Sequence, residues 1–188
     1  MIHAFYSDPH FGHAKIIEGC ARPFRDIAHM ADEMVSRYNA VVGPSDVVVW
    51  VGDCFFGPVA AAEDVMARLN GRKVLVRGNH DKGATRMARF GFDLVADELT
   101  TTVAGYPVRI CHYPYAGSSY RGGAVDARYL DRRPPRVRGE VLVHGHTHSP
   151  RRRDGNMVHV GVDAWDYAPA PHAAVAQLVA DVFSRGPS

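Results

Sequence analysis

The sequence predicts an α/β domain. Three observations carry that prediction. Short β-branched runs alternate with stretches of helical periodicity. The predicted strands end in Asp, His or Asn. The chain has 188 residues, 46% of them hydrophobic, which suffices for the core of one domain spanning residues 1–188.

The elements follow in order. Residues 2–7, IHAFYS, form an apolar strand ending at Asp8, and HAKIIEGC after it is a short helix. Over 28–42, Met30, Met34, Tyr38 and Val41 recur at helical spacing. DVVVWVGD, 46–53, is a β-branched run of the kind buried on both faces of a sheet. Residues 59–71 are helical, with Gly71 expected as the C-terminal cap. A strand over 72–81 runs into a polar turn, and 82–91 is a helix ending at Gly91. Residues 94–114 read as strands turning near AGYP, so antiparallel pairing is expected there. The Gly-, Pro- and Arg-rich stretch 116–140 is expected to be a surface excursion. Strands at 141–145 and 157–163, divided by the turn RDGN, precede a helix over HAAVAQLVADVFS.

Composition narrows the function classes. No apolar run approaches a membrane span. No basic region followed by an apolar stretch opens the chain, so no signal peptide is expected. Cys20, Cys54 and Cys111 are too few and too far apart for a disulfide framework and suggest reduced thiols, hence a cytoplasmic location. The net charge of +2 does not announce a nucleic-acid binder. Nineteen of the twenty-two basic residues are Arg, however, and two clusters stand out, at 127–139 and 151–153. These clusters are either solvated loop charge or a phosphate-attracting rim.

The strand ends carry the chemistry. They supply Asp8 and His10, then Asp53, then Asn79, His80 and Asp81, then His112, then His146 and His148. Ligands in open α/β sheets bind beyond the carboxyl ends of strands, so these groups are expected at one rim. Without a thiolate cluster, a structural zinc site is disfavoured. Carboxylate, imidazole and amide donors suit Mn, Fe, Zn or Ni. Seven donors exceed what one ion needs if substrate is also to bind. Two ions sharing a bridging carboxylate fit better, about 3.5–4 Å apart and clamping a phosphoryl group.

The ordered motifs D-x-H, GD, GNHD, a lone His and G-H-x-H resemble the calcineurin-like metallophosphoesterase superfamily, from Asp8 to His148. SDPHFGH at the start, with HYP and HGHTH later, resembles its small stand-alone bacterial and phage members. The resemblance implies an α/β/β/α sandwich of two mixed β-sheets flanked by helices. It implies two divalent metal ions, manganese first, with iron, zinc or nickel as alternatives. Asp8, His10 and His148 would bind one ion, Asn79, His112 and His146 the other, and Asp53 would bridge them. His80 would face the substrate as general acid or transition-state donor, with Asp81 hydrogen-bonded to it. The nucleophile would be a hydroxide shared by the two ions. The expected substrate is a phosphate ester, preferentially a diester such as a cyclic nucleotide or a nucleic-acid end. A phosphomonoesterase and a non-catalytic scaffold are the alternatives, and a nucleic-acid-processing factor binding through the Arg clusters is a further rival. Asn79, His80, His13 and Arg121 are the expected substrate contacts.

Other residues receive plainer expectations. His144 lies inside its strand and is given a structural or ligand-supporting role. His3, His29, His159 and His172 are read as ordinary polar residues. Cys54 follows Asp53 without a dedicated base, so it is not read as a nucleophile. Trp50 and Trp165 are expected in the core or at the rim, and Gly145 is expected to let the chain bend.

Overall fold

A computed structural model describes residues 1–118 and 128–184. The first sheet contains β1 (Ile2–Tyr6), β2 (Val47–Trp50), β3 (Arg72–Val76), β4 (Leu94–Ala96) and β10 (Ala170–Pro171), ordered β10-β1-β2-β3-β4. The second contains β5 (Glu98–Val103), β6 (Tyr106–Cys111), β7 (Val141–His144), β8 (Arg153–Asp154) and β9 (Met157–His159), ordered β5-β6-β7-β9-β8. Both sheets are mixed. In the first, β1 to β4 run parallel and β10 antiparallel. In the second, the β5–β6 hairpin and the β8–β9 pair are antiparallel, whereas β6–β7 and β7–β9 are parallel.

Period-two alternation assigns the strand residues to layers. On one face of the first sheet, Ala4, Tyr6, Val48, Trp50 and Leu75 pack against helices. These helices are α1 (Ala14–Gly19), α2 (Ile27–Val41), α3 (Val59–Arg68) and α4 (Ala84–Arg89). Met30, Met34 and Tyr38 of α2 are fully buried there, as their spacing predicts. On the other face, Phe5, Val49, Val51 and Val76 meet Val108, Ile110, Val141 and Val143 of the second sheet. Helix α5 (His172–Ser184) adds Val175 and Val179 to this layer. Trp50 and Trp165 are both buried.

Two expectations need correction. Helix α3 stops at Arg68 with Leu69 as its C-cap, and Gly71 serves the turn into β3 instead. At φ 75°, a Cβ on Gly71 would meet the Asp46 carbonyl at 2.7 Å. The described parts of the stretch 116–140, residues 116–118 and 128–140, are also less free than their composition suggests. Tyr115, Ser118 and Arg133 are buried, and Tyr113 and Tyr115 pack on Leu142 and Met157 across the outer face of the second sheet. Among the described residues, no helix is long and apolar enough to cross a membrane.

Register places the strand ends together. Tyr6 pairs with Trp50 and Trp50 with Leu75, so the chain after β1, β2 and β3 leaves one rim. Ile110 pairs with Val143 and His144 with His159, which aligns the second sheet's ends similarly. A bridge between Ser7 and Gly161 and the Val162 N–H donating to the Ser7 carbonyl at 2.9 Å join the two rims.

Candidate metal centre

Two trios of donor atoms meet where the rims join. Asp8, His10 and His148 form one, and Asp53, His112 and His146 the other, with the donor atoms of each within 4.8 Å of one another. All six residues are buried. Asp53 links the trios: its Oδ2 lies 3.6 Å from His10 Nε2, 3.5 Å from His112 Nε2 and 3.9 Å from His80 Nε2. Asn79 joins the second trio, with Oδ1 2.9 Å from His146 Nδ1 and 3.2 Å from His112 Nε2.

The donor set fits cations. Nε2 of buried His10 has no hydrogen-bond partner, yet it faces Asp8 Oδ1 at 3.9 Å and Asp53 Oδ2 at 3.6 Å. An orphaned buried nitrogen between two carboxylates is costly unless an ion takes its lone pair. The Nδ1–H of His112 donates to the Val51 carbonyl at 2.7 Å, which turns its Nε2 toward Asp53 and Asn79. Burial pushes the Asp8 carboxyl pKa up. Asp53 feels the same burial, but the His112 and His10 imidazoles beside it hold its carboxyl below the ordinary range. Burial alone would depress His112, but the Asp53 carboxylate raises it to about 9.

The backbone is bent to the task. Of the ten non-glycine residues with positive φ among those described, five are expected ligands: Asp8, His10, Asp53, His146 and His148. Left-handed conformations cost L-residues energy and persist where surrounding structure over-determines them. Gly145 is not such a bend. It is glycine because a Cβ there would collide with Ser7 Oγ and Asp8 Oδ2. Its absence lets the His146 N–H donate to Asp8 Oδ2 at 3.0 Å.

His80 sits on the open side, its side chain 42% exposed, against Phe56 at 4.6 Å between ring centroids. His13 stacks on Phe56 at 4.0 Å, and its Nδ1 lies 3.3 Å from His10 Nδ1. The hydrogen bond expected between Asp81 and His80 is not formed. Asp81 Oδ2 accepts from the N–H groups of Gly78 at 2.8 Å and Asp53 at 2.9 Å, and Oδ1 from that of Cys54 at 2.9 Å. Asp81 therefore clamps the Asp53 loop to the Asn79 loop. His80 is set by its backbone, which donates to Asp53 Oδ1 at 2.9 Å. His144 stays in β7 and donates Nδ1–H to the Gly145 carbonyl at 2.8 Å, and burial lowers its pKa to about 4. Burial raises the Cys54 thiol well above its usual range, which fits the expectation that it is not a nucleophile. Arg121 lies outside the described residues.

Three arginines of the two clusters are committed to structure. Arg133 donates to the carbonyls of Arg128 and Tyr115, and Arg136 covers the Tyr115 ring at 4.6 Å. Arg152 donates to the Ala164 carbonyl and lies 4.1 Å over Trp165.

Two supporting residues escaped the sequence reading. Asp163 Oδ2 accepts from His148 Nδ1 at 2.8 Å, and Arg22 donates to both Asp163 oxygens at 2.9 and 3.0 Å. Arg22 also caps the Asp8 and Pro9 carbonyls. Despite burial, the Asp163–His148 hydrogen bond and the Arg22 charge hold the Asp163 carboxyl below its normal range. Asp163 follows the strand MVHVGV, so the strand-end rule that found the other donors would have found it too. Arg22, in the turn after α1, carried no comparable signal.

With this geometry in hand, the chain can be compared with known proteins. The family model for the calcineurin-like phosphoesterase superfamily domain matches residues 1–163. The Gene 66 protein of Mycobacterium phage D29 is 33% identical over 202 residues, covering 95% of this chain and 96% of that protein. The uncharacterised protein MJ1445 of Methanocaldococcus jannaschii is 29% identical, covering 92% of this chain and 88% of that protein. The crystal structure of AQ665 from Aquifex aeolicus superposes with a TM-score of 0.70 at 24% identity, over 93% of this chain and 97% of that one.

Proposed function

The chain belongs to the calcineurin-like phosphoesterase superfamily, and from that premise we propose that it hydrolyses phosphodiesters with two divalent cations. Asp8, His10 and His148 would hold one cation, Asn79, His112 and His146 the other, and Asp53 would be shared. The observation that carries this reading is Asp53 Oδ2, which faces imidazole nitrogens of both trios at 3.5 and 3.6 Å. Manganese is the first metal proposed, and iron, zinc and nickel also suit the carboxylate, imidazole and amide donors.

When bound, the cations supply Lewis acidity toward the phosphoryl oxygens and acidify the attacking water. The chain's own residues do the rest. Asp53 fixes the His80 backbone, and Phe56 supports the His80 ring, so Nε2 stays at the rim and can pass a proton to the departing alkoxide. The Asn79 amide faces the same space and can steady a phosphoryl oxygen. Asp81 holds both loops in place. The exposure of His80 favours a leaving group that extends into solvent, as in a nucleotide or a nucleic-acid end.

The test compares bis-p-nitrophenyl phosphate with p-nitrophenyl phosphate after loading with Mn²⁺. Faster turnover of the diester supports the proposal, and faster turnover of the monoester makes the chain a monoesterase. No turnover of either by the loaded chain leaves the scaffold reading.

A further inference from the structure

We infer that Arg132 selects substrates by holding a second anionic group, beyond the scissile phosphate, on the His146 side of the centre. The inference rests on the hydrolase reading and adds a charge requirement to the substrate.

Three aromatic rings build this side. The ring centroids of Tyr113 and His146 are 5.3 Å apart, those of Tyr113 and Tyr129 5.5 Å, and those of Tyr129 and His146 5.6 Å. A 3-10 turn, Leu130–Arg132, starts directly after Tyr129 and brings Arg132 back over Tyr113, where Nη1 donates to the phenol oxygen at 3.3 Å. Tyr129 is held at φ 56°. A bulky aromatic residue in that region is a backbone outlier of the kind that collects at functional sites.

Charge separates Arg132 from the arginines around it. Arg22 is paired with Asp163, Arg109 with Glu98 and Glu140, and Arg133 donates to backbone carbonyls. Arg132 is exposed, and among the described residues it forms no ion pair. Asp131 and Asp97 act on it only through space. One of its five N–H groups is used on a neutral phenol, so a fork remains for a phosphate or carboxylate. The opposite flank has the reverse character. Beyond Phe56, an apolar groove of about 240 Å³ between α2 and α3 carries Asp32 and Asp64, both near Arg68. An anionic arm of the substrate therefore finds its complement beside Arg132 and not beside Phe56.

The test uses the dinucleotides TpT and pTpT, which differ by a 5′-phosphate, with the Mn²⁺-loaded chain and with Arg132→Gln and Arg132→Lys. The parent should prefer pTpT. Arg132→Gln should lower kcat/KM for pTpT by about 10- to 100-fold while leaving TpT within about twofold, with Arg132→Lys in between. Calorimetric Kd values for thymidine 3′,5′-bisphosphate and thymidine 3′-monophosphate should show the same selective loss without turnover. Unchanged TpT hydrolysis also reports a folded variant. An equal loss on both dinucleotides, or no loss on either, overturns the inference and leaves the hydrolase reading standing. Turnover of bis-p-nitrophenyl phosphate but of neither dinucleotide also overturns it. A loaded parent that hydrolyses no phosphate ester removes both.

Discussion

The two halves of the candidate metal centre use the same kinds of donor and brace them differently. In the first, His148 donates to Asp163, which is held in turn by buried Arg22. Asp8 accepts from Ser7 Oγ at 2.7 Å and from the His146 backbone. In the second, His112 donates to a neutral carbonyl, and the remaining space is shared by the Asn79 amide and the rings of Tyr113 and Tyr129. A carboxylate behind an imidazole makes it a stronger ligand than a carbonyl does. On the proposed two-cation reading, the first position would be the one to retain its ion. The second, with its neutral supports and the Tyr129–Arg132 turn beside it, would be the one to meet substrate.

The predictions test this contrast from the largest effect downward. Asp53→Asn removes the residue common to both halves, and hydrolysis should fall by about 10³-fold or more. Activity within tenfold of the parent would mean the halves are independent. Arg22→Met leaves the Asp163 carboxylate buried without its cation and should lower unfolding free energy by about 3–5 kcal/mol. Urea denaturation reads this directly, and a loss below about 1 kcal/mol would show that the pair does not brace the fold. Asp163→Asn should weaken the tighter of two metal-binding events by about 10- to 100-fold and leave the weaker one in place. Titration against a chelating indicator separates them, and equal weakening of both would erase the proposed asymmetry.

The smallest effect concerns pH. His159 is buried behind Gly161 with neither ring nitrogen hydrogen-bonded, and burial holds its pKa well below the ordinary 6.5. Below that pH the unfolded chain binds a proton that the folded chain refuses. Stability should thus be undiminished above pH 6.5 and fall as pH drops from there toward the depressed value. His159→Leu should reduce the slope of unfolding free energy against pH in that window by up to about 1.4 kcal/mol per unit. Identical slopes in parent and variant would show that His159 is not the group responsible.

Much of this architecture was legible in the sequence because it is periodic or sits at strand ends. Apolar runs located β1, β2 and β3, and the His172–Ser184 helix was read to its ends. The short β10 carried no signal, and β4 was grouped with the antiparallel strands after it although it pairs parallel with β3. The seven expected donors converge because parallel register aligns the chain after each strand. What was illegible is tertiary. Nothing local announces that Asp8, His10, Asp53, His146 and His148 take left-handed backbone conformations. Asp81 beside His80 invited a side-chain partnership, but its oxygens are taken by three backbone N–H groups that only the folded loops bring together. The Arg-rich stretch looked uniform, although Arg133 is buried and Arg132 exposed one residue away.

Counting metal against activity tests the central claim most directly. Equilibrium dialysis with Mn²⁺ should find two ions per parent chain, and hydrolysis of bis-p-nitrophenyl phosphate should rise only as the second, weaker site fills. Full hydrolysis with one ion bound, or in excess chelator with none, would contradict a shared two-ion centre around Asp53.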